Sequence, residues 1–125
     1  MHKISSLNDI EKKCFASGDT EIWYMKPDFF SQGIIGLLPD PNDLSKTHVL
    51  LGKVEERRLE AIFWMMQGEY WSPKGEGKHL IAEKGINHTS MCVGDVVKIG
   101  DSVFVAETMG WKKVAGQEEQ TDGIE

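Results

Sequence analysis

Gly85 to Val114 reads GINHTSMCVGDVVKIGDSVFVAETMGWKKV, and this stretch decides the fold. Val93, Val96, Val97 and Ile99 lead into Gly100-Asp101, and Val103, Phe104 and Val105 follow. Two apolar, β-branched runs split by Gly-Asp predict a β-hairpin. Glycine at the first central position suits a type II′ turn, which needs positive φ there. Such a turn sets Ile99 opposite Ser102, Lys98 opposite Val103 and Val97 opposite Phe104. Gly94-Asp95 breaks the chain ahead of the first strand, and Gly110 predicts a reversal into a third strand, Trp111 to Val114. Three strands with one apolar face are marginal alone, so upstream residues are expected to cover them.

The cover is sought first in residues 55–67. Leu59, Ile62, Phe63 and Met66 follow the i, i+3, i+4, i+7 spacing of an amphipathic helix. Glu55 and Glu56 would sit at its start, where the helix dipole favours acids, and Gly68 would end it. Trp64 and Met65 fall off the stripe, which predicts cover on more than one side. A shorter helix is expected from about Glu76 to Lys84, with Leu80 and Ile81 inward, Ser72-Pro73 as a cap and first-turn pair, and Gly85 as its stop.

Further upstream, Thr47 to Val54 reads as a strand. Its near-continuous apolar run suggests a central place in the sheet. Glu21 to Met25 reads as a short strand, and Pro27 stops it and opens a helical turn through Phe30. Gly33, Gly36, Pro39 and Pro41 exclude a long regular element between residues 32 and 46. Ile34, Ile35, Leu37 and Leu38 in that loop are expected to pack over the core, because large exposed apolar patches are uncommon on monomers. Residues 6–17 read as a thin amphipathic helix with Ser6 as cap and Gly18 as stop.

The whole is expected to be α+β: a small antiparallel sheet with a C-terminal β-hairpin or meander, packed against one main helix (55–67) and shorter helices. Its 125 residues, 40% of them hydrophobic, suffice for one core. Residues 1–115 are assigned to the single globular domain and 116–125 to an acidic, disordered tail. No apolar run is long enough for a membrane helix, and the N-terminus lacks an apolar signal-peptide core. Cys14 and Cys92 are expected to be free thiols in the cytoplasm.

The net charge of −6 is concentrated at one end. The last ten residues, GQEEQTDGIE, carry four acids and no base, which leaves 16 acidic against 14 basic residues elsewhere. A body so nearly balanced lacks the net basic face of a typical nucleic-acid binder.

The block from Gln67 to Val114 contains Gln67-Gly68-Glu69-Tyr70-Trp71-Ser72-Pro73-Lys74-Gly75-Glu76, then His88-Thr89-Ser90-Met91-Cys92-Val93-Gly94-Asp95-Val96-Val97, then Met109-Gly110-Trp111-Lys112-Lys113-Val114. In these parts the chain resembles an uncharacterised family of small proteins of bacteriophages, plasmids and integrated mobile elements. The family pattern is QGExWSPxGEAxxLIxxxGxxHTSMSVGDVV followed by a hairpin with an aromatic-rich end. The likeness is weaker over residues 27–54, and a fainter one links Ser90 to Val114 with YodL-like domains of mobile elements. Gly77 replaces a frequent alanine and Cys92 a usual serine, so the resemblance implies no family-wide metal-binding cysteine there. It implies a context, a phage or mobile element acting in a host cytoplasm, and no mechanism.

No catalytic signature stands out. His88 and Cys92 are four apart, a metal-ligand spacing on a helix. Thr89-Ser90-Met91 ahead of Gly94 makes a poor helix, however, and no CxxC or HxxxH partner exists, so no metal or cofactor is expected. His88, Thr89 and Ser90 as base and nucleophile are adjacent, and adjacent residues rarely meet in the required geometry. A polar turn whose hydroxyls satisfy the backbone is the simpler reading. Glu69, Trp71, Ser72, Lys74 and Glu76 form a polar loop around an aromatic; the simpler reading packs Trp71 on the hairpin and leaves the loop polar because it is exposed. This loop and His88–Ser90 both flank the short helix, so Glu69, Trp71, Ser72, Glu76, His88, Thr89 and Ser90 are the candidate binding residues. Lys53, Arg57, Arg58, Lys112 and Lys113, with Trp64, Tyr70 and Trp71, are candidates for single-stranded nucleic acid, diluted by Glu55, Glu56 and Glu60.

The leading expectation is a non-enzymatic protein-binding domain acting on a host or element-encoded partner. A nucleic-acid-binding module is second, and a small hydrolase or transferase using His88 and Glu69 third.

Overall fold

Strand β3 (Val96–Ile99) and strand β4 (Ser102–Glu107) pair as Ile99 with Ser102, Lys98 with Val103 and Val97 with Phe104, the register expected from Gly100-Asp101. Gly100 has φ +60° while Asp101 has negative φ, which fits a II′ turn and excludes I′. Strand β5 (Gly110–Ala115) returns along β4 after Met109. The computed structural model describes residues 18–75 and 77–116. The expected helix at 6–17, the acidic tail from 117 onward and Glu76 lie outside the described residues.

Strand β1 (Thr20–Met25) joins the N-terminal half to this unit by pairing antiparallel with β3. Strand β2 (His48–Val54) pairs only with β1, so the five-stranded antiparallel sheet runs β2-β1-β3-β4-β5. The 47–54 strand is therefore an edge, not central. Its half-buried Val49 and buried Leu51 and Val54 owe their cover to helices stacked on one face rather than to neighbours on both sides.

Alternation sends Ile22, Tyr24, Val97 and Ile99 to one face and Trp23, Val96, Val103 and Val105 to the other. The first face carries the main core. Ile62 and Met66 are wholly buried there, with Trp71, Ile81, Ile86 and Met91, and Leu59 and Phe63 pack at the margin. The second face is met by Leu44, from the short 3₁₀ turn Leu44–Lys46. Helix α1 (Pro27–Gly33) starts at Pro27 as expected.

Helix α2 is shorter than its periodic pattern, covering Leu59–Met65. The Glu56 carboxylate accepts the backbone N–H groups of Arg57 and Arg58 and the Arg58 guanidinium, which holds residues 56–58 out of the helix. The two glutamates thus precede the helix instead of opening it. Trp64 is exposed, so α2 is covered on one side. Gly68 does not merely stop α2; it begins the one-turn helix α3 (Gly68–Trp71). Helix α4 covers Lys78–Glu83, and Gly85, with φ +72°, ends it. Ser72 caps nothing at its own position: its Oγ accepts the N–H of Gly77, at the entrance to α4, at 2.7 Å. Among the described residues no helix is long and apolar enough to cross a membrane.

Candidate functional site

The turn from His88 to Asp95 links α4 to β3, and a single carboxylate holds it. Gly94 has φ +100°, a conformation side chains oppose, and it brings Asp95 under the sheet end, where it is wholly buried. Asp95 Oδ1 accepts the N–H of Met25 at 2.9 Å, and Oδ2 accepts the N–H of Cys92 at 2.9 Å. His88 Nε2 donates to the same carboxylate, 2.9 Å from Oδ2 and 3.1 Å from Oδ1. Main-chain bonds from Gly94 N to Ala106 O and from Ala106 N to Asp95 O fasten the turn to β4. A buried carboxylate needs such partners, and here donors from three residues converge on it.

The His88 ring is held on its faces as well. It stacks on Tyr24 with centroids 4.7 Å apart and planes 13° apart, and Phe30 lies 5.2 Å away at a tilt. Nδ1 lies 3.2 Å from Asn87 Oδ1. The Tyr24 hydroxyl donates to Thr89 O at 2.8 Å, and burial, then the Asp95 charge, push its ionisation well above the usual phenol range. Burial first, then the charge and hydrogen bond of Asp95, push the Cys92 thiol far above the ordinary thiol range. It is therefore a poor nucleophile at neutral pH.

The candidate stretches at 69–76 and 88–90 do meet. Trp71 Nε1 donates to Thr89 O at 3.1 Å, and Ser90 Oγ accepts the N–H of Gly68 at 2.7 Å. These contacts use the polar atoms for construction. The Ser90 hydroxyl is an acceptor for backbone, not a partner of the His88 imidazole, and Trp71 is core rather than loop surface. Gly77 makes room for it: a Cβ there would come within 2.6 Å of the indole. Glu69 is exposed on α3, Lys74 is exposed after it, and Ser72 is buried. Asp95, Tyr24 and His48 were not among the candidates. His48, buried at the start of β2, donates from Nε2 to Gly94 O at 2.8 Å and accepts the Thr47 hydroxyl at Nδ1, 2.7 Å away.

Both arginines among the basic candidates are paired with carboxylates. Arg57 bonds Asp19 at 3.0 Å and Arg58 bonds Glu56 at 2.9 Å. With Trp71 buried, it offers no face for a base to stack on.

A different surface is open. Ile34, Ile35, Leu37 and Leu38 are 43, 82, 52 and 40% exposed, and Met109 is 88% exposed. The 34–38 loop, expected to pack over the core, instead forms one wall of a groove of about 380 Å³, with the β4–β5 turn as the other. Val93, Val105 and Ala106 contribute to its lining, and Glu107 is its one charged residue among the described residues. Leu44, not the 34–38 loop, is buried in the apolar cluster on that face of the sheet.

Comparisons with family models, curated proteins and solved structures find no match to this chain.

Proposed function

We propose that the protein is a binding module that takes an apolar segment of a partner protein, flanked by a basic residue, into the groove between residues 33–38 and the β4–β5 turn. The observation that carries this reading is the cluster of large apolar side chains left in water at Ile34, Ile35, Leu37, Leu38 and Met109. Hydrating such a patch is unfavourable, and large contiguous apolar patches mark interaction surfaces. The groove volume is within the range of sites that hold small ligands or a few anchoring side chains. Met109, unbranched and soft, adapts to what it covers. Glu107 at the groove favours a cation beside the apolar anchor. The resemblance to mobile-element proteins suggests a host or element-encoded partner in a bacterial cytoplasm.

The test is site-specific photo-crosslinking from position 35 and from position 109 in the producing cell. The expected result is one partner protein captured from both positions, through a segment that pairs apolar residues with Lys or Arg. Ile35→Asp with Met109→Asp should abolish its capture without changing the melting temperature. Capture unaffected by that double variant, crosslinks only between copies of this chain, or a nucleic acid bound with a steep salt slope would each overturn the reading.

A further inference from the structure

Three side chains of the 88–95 turn bring different donor atoms together. His88 Nε2, Cys92 Sγ and a carboxylate oxygen of Asp95 all lie within 4.8 Å of one another. The geometry points to a divalent metal site of zinc type, with these three atoms as ligands and a fourth position open to water. This inference stands apart from the groove and does not rest on it.

The donor set comes first. One imidazole, one thiolate and one carboxylate suit a borderline-soft dication that prefers four ligands. Zinc bonds of about 2.0–2.3 Å set tetrahedral donors about 3.5 Å apart. The three atoms span at most 4.8 Å and His88 Nε2 and Asp95 Oδ2 are 2.9 Å apart, so closing the site needs that pair to part by a few tenths of an ångström and the widest pair to draw in by about 1 Å.

Charge is the second argument. Asp95 is wholly buried and the His88 side chain is 13% exposed. A dication with one thiolate, one carboxylate and one neutral imidazole sums to zero, the net charge that costs least in such a place. On binding, the Cys92 thiol gives its proton to water. The imidazole proton leaves Nε2, and the ring carries its proton on Nδ1, where Asn87 Oδ1 accepts it. The thiol proton and any second imidazole proton go to solvent, and no redox change occurs.

Orientation is the third. Metal ligands are commonly fixed by hydrogen bonds from behind. Here each Asp95 oxygen already accepts a backbone N–H, from Met25 or from Cys92. The imidazole is clamped by Tyr24 on one face, and Asn87 Oδ1 stands at its far nitrogen. The sequence spacing alone pairs His88 with Cys92; the third ligand becomes visible only when Gly94 folds Asp95 back beneath them.

The experiment is a cobalt(II) titration of the full, chelator-treated chain followed by optical absorption. The expected result is a thiolate-to-cobalt charge-transfer band and intense d–d bands, both saturating at one equivalent and bleached by zinc. Cys14→Ser should keep both. Cys92→Ser should lose the charge-transfer band, and His88→Gln should lose the one-equivalent saturation. X-ray absorption of the wild-type zinc complex should find one sulfur at about 2.3 Å with nitrogen and oxygen at about 2.0 Å, which tests the site even if a variant fails to fold. No charge-transfer band in the wild type, a band that survives Cys92→Ser, or a zinc shell without sulfur would overturn the proposal.

Discussion

Asp95 holds His88 by both carboxylate oxygens, at 2.9 and 3.1 Å, while two backbone N–H groups from different parts of the chain bind the same two oxygens. Through Met25 this hub reaches the groove. The Met25 N–H is bound to Asp95, and its Sδ lies against both Gly33 and Gly94. Gly33 lines the groove, so the wall at 33–38 is seated on the residue that the buried carboxylate positions.

Asp95→Ala should therefore unfold more readily than any substitution on the exposed face. It strands the N–H groups of Met25 and Cys92 and the His88 Nε2 proton in a buried place. The expected loss is about 3 kcal/mol or more, read as a lower urea midpoint at unchanged m-value. A loss below about 1 kcal/mol, the net worth of one ordinary hydrogen bond, would show that the carboxylate does not organise the turn.

Gly94→Ala and Gly100→Ala separate conformation from space. Both glycines have positive φ, +100° and +60°. A Cβ at Gly94 would stand 2.6 Å from Met25 Sδ and 3.1 Å from the Gly33 carbonyl carbon, whereas none of the surroundings comes within 4 Å at Gly100. Gly100→Ala should cost about 1–2 kcal/mol, the left-handed penalty alone. Gly94→Ala should cost clearly more, by the overpacking it adds. Equal losses in thermal or urea unfolding would contradict the close approach of Met25.

The hairpin was legible because its determinants are neighbours: Gly100-Asp101 and the β-branched residues beside it settle the register locally. Strand order was not. The place of β1 between β2 and β3 depends on pairings such as Ile22 with Val97, which no local pattern announces. The Leu59–Met66 stripe gave the correct buried face, but Glu56 shortened the helix through side-chain bonds that periodicity does not register. Trp71 sits among polar residues, which left a packed indole and a binding surface both open as readings; burial wins, and the side-chain-free Gly77 leaves the space the indole needs. The Asp95 role was hidden because it rests on donors up to 70 residues away in sequence. The 34–38 loop misled for the opposite reason. Its composition fits a core, and the second sheet face is met by Leu44 instead.

His48 should make stability depend on pH near neutrality. Burial lowers its pKa from the ordinary 6.5 and outweighs the Nε2–H bond to Gly94 O, which favours the charged ring; Nδ1 accepts the Thr47 hydroxyl, so the native site holds a neutral ring. As pH falls through 6.5, the unfolded chain gains a proton that the folded one resists, and stability falls with it, by at most about 1.4 kcal/mol per pH unit. Urea unfolding from pH 7.5 to 5.5 should show this slope in the wild type and a shallower one in His48→Gln. Parallel slopes in the two proteins would assign the titration elsewhere.

Cys92 should resist alkylation in the folded, metal-free chain. Burial and the neighbouring Asp95 keep the thiol protonated well beyond its usual range, and only the thiolate attacks an alkylating reagent. In a Cys14→Ser background at pH 8, with chelator present, iodoacetamide should label Cys92 more than about tenfold more slowly than in urea. His88→Gln keeps a side chain able to donate to Asp95 and should label as slowly as the parent. An Asp95→Asn chain that still folds should label faster, since the nearby negative charge is gone. Rapid labelling of the folded parent would mean that Cys92 sits in open solvent, away from the carboxylate.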